Sequence, residues 1–91
     1  MINDLSPKQF RCYINTREVK LVDVREDWEF EIWQIYGLIC MPMSNINATF
    51  MKLNKENGIA LYCHHGLRSM QAANLLMSKG FRAINKSPRR D

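Results

Sequence analysis

No apolar stretch in this 91-residue chain is long enough to cross a bilayer, which takes about 20 consecutive apolar residues. Met1-Ile2-Asn3-Asp4 has neither the basic start nor the apolar run of a secretion signal, so the expected location is cytoplasmic, with no membrane partner. Cysteine is scarce and unpaired. Cys12, Cys40 and Cys63 make no even framework, and their spacing is not that of a zinc site. In a reducing compartment they are expected to be free thiols, with Cys12 and Cys40 in core or boundary positions. The only histidines, His64 and His65, are adjacent, and neighbours in sequence rarely point at one ion, so neither a metal nor another cofactor is predicted. Repeats and low-complexity segments are absent as well, and no break in composition separates a second domain.

The 13 Lys and Arg residues are scattered from Lys8 to Arg90, without the clustering and aromatic interleaving of a nucleic-acid surface, which argues against nucleic acid as a partner. A net charge of +4 suits a small anionic substrate instead. With 46% apolar residues and 24% charged, the chain has the composition of a globular protein, and its length allows one core, hence a single domain over residues 1–91.

What is present reads as alternating strands and helices. Ser6-Pro7 supplies an N-cap and a first-turn proline for a helix running to Ile14, with Phe10, Tyr13 and Ile14 on one face and Asn15-Thr16-Arg17 as its end. Lys20–Arg25 is rich in β-branched residues and predicts a buried strand. Within it Asp23 requires partners, expected to be loop N–H groups, while Arg25 is expected to pair with Glu29. Asp27 is placed as the cap of a short helix to Trp33 whose aromatic residues are expected to fill core beside the sheet rather than to form a pocket wall. Leu38–Pro42 predicts a further strand, Ile46–Leu53 a modest helix, and Arg82–Asn85 a last short strand.

The chemistry concentrates in residues 59–69. The apolar run Ile59-Ala60-Leu61-Tyr62 ends on Cys63; the loop His64-His65-Gly66-Leu67 follows, and Arg68-Ser69 opens a helical pattern from Met70 to Lys79. Met70, Ala73, Leu76 and Met77 form its predicted core stripe, and Gly80 its stop. A loop entering a helix offers backbone N–H groups without intrahelical partners, a nest for an anion. Those donors, the helix dipole and Arg68 all favour a thiolate at Cys63, the nucleophilic form. Sulfur transfer through a persulfide and phosphoryl transfer through a phosphocysteine both fit such a nest.

Cys63-His64-His65-Gly66-Leu67-Arg68-Ser69 resembles the Cys-x-x-Gly-x-Arg-Ser loop of rhodanese domains, and the resemblance extends to Leu21-Val22-Asp23-Val24-Arg25-Glu26, Trp28-Glu29-Phe30-Glu31 and Lys79-Gly80-Phe81. The family's Gly-His-Ile-x-Gly-Ala segment is represented only by Ile35 and Gly37 within Trp33-Gln34-Ile35-Tyr36-Gly37-Leu38, so the role of that histidine does not carry over. The resemblance implies an α/β fold with a mostly parallel sheet of four or five short strands flanked by helices on both faces. It also implies a sulfurtransferase that takes sulfane sulfur from thiosulfate or a persulfide onto Cys63 and passes it to cyanide, a thiol or a sulfur-relay protein. In that scheme the amides of residues 64–68 hold the anionic sulfur and His64 and His65 form a polar rim. Arg68 attracts the donor or shapes the loop, Ser69 caps the helix, and Asp23 and Arg25 buttress from the adjacent strand. The four residues between Cys63 and Arg68 favour this activity over the cysteine phosphatases and arsenate reductases, whose loop holds five. The alternative is a non-catalytic binding or regulatory module. Rhodanese domains continue past the last strand into a Gly-Gly turn and one more helix; Lys86-Ser87-Pro88-Arg89-Arg90-Asp91 resembles neither. The expectation is apolar surface left for a second copy, giving a homodimer, or else a reduced stability.

Overall fold

The computed structural model describes residues 2–13 and 19–88. Five strands make one parallel sheet: β1 (Ile2–Asp4), β2 (Val19–Asp23), β3 (Ile39–Cys40), β4 (Gly58–Tyr62) and β5 (Ile84–Lys86), in the order β1-β5-β4-β2-β3. Four α-helices connect them: α1 (Pro7–Tyr13), α2 (Asp27–Ile32), α3 (Ile46–Thr49), which a 3-10 turn at Phe50–Lys52 extends, and α4 (Leu67–Ser78). The expected α/β class, parallel sheet and helices on both faces are all present. The expected end of α1 at Ile14 and its Asn15-Thr16-Arg17 break lie outside the described residues, as do Arg89, Arg90 and Asp91.

Strand alternation sorts the apolar residues into two cores. Val22, Ile59, Leu61 and Ile84 face α3 and α4, where Ile46, Ala72, Ala73 and Leu76 meet them. Leu21 and Ala60 face the other way, toward Leu5, Phe10 of α1 and Leu38. By the same alternation Tyr62 packs with the α1 core and Cys63 with the α4 core. The central strands β4 and β2 are buried on both faces, as crossover helices on each side require.

Local sequence explains most of the boundaries. Ser6 and Gln9 form a reciprocal cap on α1, the Gln9 N–H donating to Ser6 Oγ at 3.2 Å and the Ser6 N–H to Gln9 Oε1 at 2.8 Å. At the far end of α4, Gly80 has φ 95°, the Phe81 N–H donates to the Leu76 carbonyl at 3.0 Å and the Gly80 N–H to that of Met77 at 3.1 Å. That left-handed stop is the Schellman arrangement a glycine makes possible.

Four expectations are corrected. The cap of α2 is Glu26, paired reciprocally with Glu29; Asp27 is already the first helical residue, so its carboxylate sits one place too late. No residue of α2 is buried: Trp28 is 63% exposed and Trp33, just beyond, 45%, so these aromatics do not fill core. The buried stripe of α4 is Ser69, Ala72, Ala73 and Leu76, with Met77 exposed, because the helix begins at Leu67 and its inward face starts on a serine. Cys12 is exposed rather than at a boundary, while Cys40 is half-buried. The edge strand β1 is an addition; three residues, Ile2-Asn3-Asp4, pair with Ile84-Asn85-Lys86 and carry too little pattern to be read alone.

Candidate active site

Cys63 follows β4 at the carboxyl edge of the sheet, beside the end of β2. Because α1 covers one face here and α4 leaves on the other, the adjacent strand ends open a crevice of the kind that receives ligands in parallel α/β sheets. Gly66, with φ 83° and ψ −6°, is the N-cap of α4 and has no side chain with which to satisfy the first turn. Cys63 supplies the acceptor instead. Its Sγ receives the Gly66 N–H at 3.0 Å and the Ser69 N–H at 3.2 Å. Two of the helix's orphan donors therefore converge on one sulfur, which is 1% exposed and sits at the positive end of a 12-residue helix.

The loop is held from beneath by two serines. Ser69 Oγ donates to the Gly66 carbonyl at 3.1 Å and lies 3.1 Å from Ser87 Oγ. Ser87 Oγ accepts the Cys63 N–H at 3.1 Å, and the Ser87 N–H donates to the Leu61 carbonyl at 2.8 Å. Ser69 is thus not the helix cap; it is the third helical residue, and its hydroxyl fastens the loop to the chain after β5. Ser87 is the site residue that sequence reasoning missed. Its only signal was its place directly after the last strand, within a segment that reads as a polar tail.

The charged residues pair differently from the expectation. Asp23 and Arg25 bind each other, not a loop and Glu29: Arg25 Nη2 donates to Asp23 Oδ2 at 2.9 Å, Nε to the same oxygen at 3.0 Å, and the Arg25 N–H to Oδ1 at 2.9 Å. Both side chains are almost wholly buried, and the fork of Arg25 closes on the carboxylate two residues away. Arg25 also donates to the Trp33 carbonyl at 2.7 Å and lies 4.2 Å from the centre of the Trp33 ring. Burial opposes the Arg25 charge, but the hydrogen bonds and charge of Asp23 outweigh it and raise the pKa.

Glu29 is taken by Arg68. The guanidinium grips both carboxylate oxygens, Nη2 donating to Oε2 at 3.0 Å and Nη1 to Oε1. Chiefly through these hydrogen bonds, the Glu29 carboxyl titrates at about 2 and Arg68 above its ordinary range. Glu29 also closes the α2 cap, and Glu26 in turn accepts the Ser44 N–H at 3.2 Å. Arg68 thereby joins the loop to α2 and to the chain after β3. His64 and His65 are exposed, their rings edge to face with centres 4.6 Å apart, and Leu67 is half exposed. Among the described residues no three His, Cys, Asp or Glu side chains gather as a metal set.

Two cavities flank the loop. One, of about 240 Å³, is lined by Trp28, Glu29, Trp33, His64, His65 and Arg68 among others. The other, of about 450 Å³, lies between α1 and the chain after β5, and Cys63 is part of its wall.

Residues 6–86 match the family model for the rhodanese-like domain. The chain is 30% identical over 84 residues to a putative sulfur carrier protein of Bacillus subtilis, covering 91% of this chain and 45% of that protein. It is 27% identical over 71 residues to a thiosulfate sulfurtransferase of Coxiella burnetii, covering 78% of this chain and 66% of that one. The chain therefore spans from less than half to about two thirds of the length of these curated relatives. The crystal structure of a rhodanese-like domain protein from Staphylococcus aureus superposes with a TM-score of 0.84 at 24% identity, covering 96% of this chain and 86% of that one. The Cys63 loop, the parallel sheet beneath it and the family match over 6–86 lead to one conclusion: the chain belongs to the rhodanese-like domain family.

Proposed function

We propose that this chain is a sulfurtransferase that carries sulfane sulfur as a persulfide on Cys63. The observation that carries the reading is the pair of N–H groups, from Gly66 and Ser69, directed at Cys63 Sγ. Such donors stabilise a thiolate, and they stabilise equally the anionic sulfur that follows it. The Cys63 thiolate attacks the outer sulfur of thiosulfate or of a persulfide. A new S–S bond forms on Cys63, the donor's S–S bond breaks, and sulfite or a thiolate leaves with the electron pair. Cyanide, a thiol or a sulfur-relay protein then takes the outer sulfur, and Cys63 leaves as a thiolate.

The remaining residues position. Arg68, already neutralised by Glu29, shapes the loop rather than drawing in the donor. Ser69 and Ser87 hold the loop's depth, Asp23 and Arg25 buttress the neighbouring strand end, and His64 and His65 form the outer rim. The names of the Coxiella and Bacillus relatives support sulfur as the group moved. Mass spectrometry after thiosulfate treatment tests the reading. Cys63 is expected to gain one sulfur atom that cyanide removes; a chain left unmodified, or modified only on Cys12 or Cys40, would reject it.

A further inference from the structure

Both arginines close to the Cys63 loop are spent on internal carboxylates, Arg25 on Asp23 and Arg68 on Glu29. The smaller cavity, whose wall includes Arg25, Arg68 and His65, is not lined by Cys63, and His64 stands between the two cavities. Cys63 instead borders the larger one, whose walls include Leu5, Phe10, Ile35 and Tyr62. Among the described residues no acidic side chain lines that groove, and Arg11, exposed on α1, is the one side chain of fixed charge in its wall. Among the described residues Arg11 has no acidic partner. At about 450 Å³ the space has the size of a small-molecule site rather than of a protein interface.

Resting on the sulfurtransferase reading above, we propose that this groove binds the sulfur acceptor, a small thiol with an apolar, ring-sized body and a carboxylate that meets Arg11. The thiolate of the acceptor attacks the outer sulfur of the Cys63 persulfide; the new S–S bond forms on the acceptor as the bond to Cys63 breaks. Cys63 departs as a thiolate, and no oxidant or reductant is consumed. Apolar burial supplies affinity in a wall of leucine, isoleucine and aromatic side chains, and the Arg11 guanidinium orients the carboxylate.

The test uses the full chain, loaded with sulfur from thiosulfate, and measures kcat/KM for discharge to 4-(mercaptomethyl)benzoate, benzyl mercaptan, 3-mercaptopropionate and cyanide. All three thiols are alkyl thiols, so their nucleophilicities are similar. 4-(Mercaptomethyl)benzoate is expected to exceed 3-mercaptopropionate by at least about tenfold, from burial of the ring. Arg11→Ala should shrink its advantage over benzyl mercaptan by about fivefold. 4-Methylbenzoate, which lacks the thiol, should compete with it. Equal kcat/KM for the three thiols, with cyanide still served, overturns the acceptor assignment and leaves sulfur transfer standing. Failure to load or discharge Cys63 with any acceptor overturns both. Groove occupancy by a second copy, seen as a mass that rises with concentration together with loss of 4-methylbenzoate inhibition, also overturns the assignment.

Discussion

On the α2 side of the Cys63 loop, Asp23, Arg25, Glu29 and Arg68 neutralise one another in two forked pairs, and the cavity that Arg25, Glu29 and Arg68 border is small and not lined by the cysteine. On the α1 side the wall is mostly apolar, nearly twice as much space is open, and Cys63 is part of it. The difference separates two tasks that the residue types alone would merge. Charge near Cys63 locks the loop and the neighbouring strand end. The cavity that reaches Cys63 has a mostly apolar wall. A paired arginine has little field to offer a second anion, because its partner cancels it at short range.

The most drastic way to break the comparison is to remove the group that both sides serve. Cys63→Ser is expected to abolish sulfur transfer, while Cys12→Ser and Cys40→Ser retain most of it, as followed by release of sulfite from thiosulfate. Turnover in the Cys63 variant would mean that another thiol carries the sulfur. An inserted residue between Gly66 and Leu67 acts less completely. It separates the Ser69 N–H from the sulfur, and misplacement of about 1 Å can lower such a rate about 100-fold. An insertion variant that transfers sulfur like the parent would detach loop length from the activity.

Next in size is the buried pair. Asp23→Ala leaves the charge of Arg25 without its carboxylate where it is 2% exposed, and should cost about 3–5 kcal/mol in urea unfolding. Replacing both together, Asp23→Leu with Arg25→Met, should cost clearly less. A single variant as stable as the parent would show that the pair does not brace the strand end.

The second pair sharpens the contrast through pH. Because Glu29 titrates at about 2 rather than at 4.5, its contribution to stability is complete above about pH 4.5 and is lost as the pH falls toward 2. Glu29→Gln should therefore lower stability by about 1–2 kcal/mol at neutral pH, with the difference closing in that acid window. A constant difference across the window would assign the loss to packing. The smallest effect concerns the two other thiols. Burial, then the hydrogen bond to Asp27, pushes Cys40 up to about 11, so alkylation at pH 8 should mark the exposed Cys12 well before Cys40.

The order of strands and helices was legible because strand-length apolar runs, turn glycines and Ser6-Pro7 are local signals, each acting on the few residues around it. The Cys63 loop was legible for the same reason: a strand end, a glycine and a helix start are contiguous, and contiguity alone brings Gly66 N–H to the sulfur. The two-residue β3 and the three-residue β1 exist through parallel partners distant in the chain, as Ile2 does through Ile84. Which carboxylate each arginine takes could not be read from spacing. Arg68 reaches Glu29 across 39 residues because β4 and β2 lie side by side, and that contact leaves Arg25 to Asp23. Ser87 becomes part of the site because β5 delivers it beneath Cys63, 24 residues away in sequence. Local chemistry thus determined the cysteine at the strand end, its glycine turn and the class of fold. Only the tertiary structure decided which charges are cancelled and which cavity opens on the sulfur, since both depend on distances that parallel crossovers set between residues far apart in the chain.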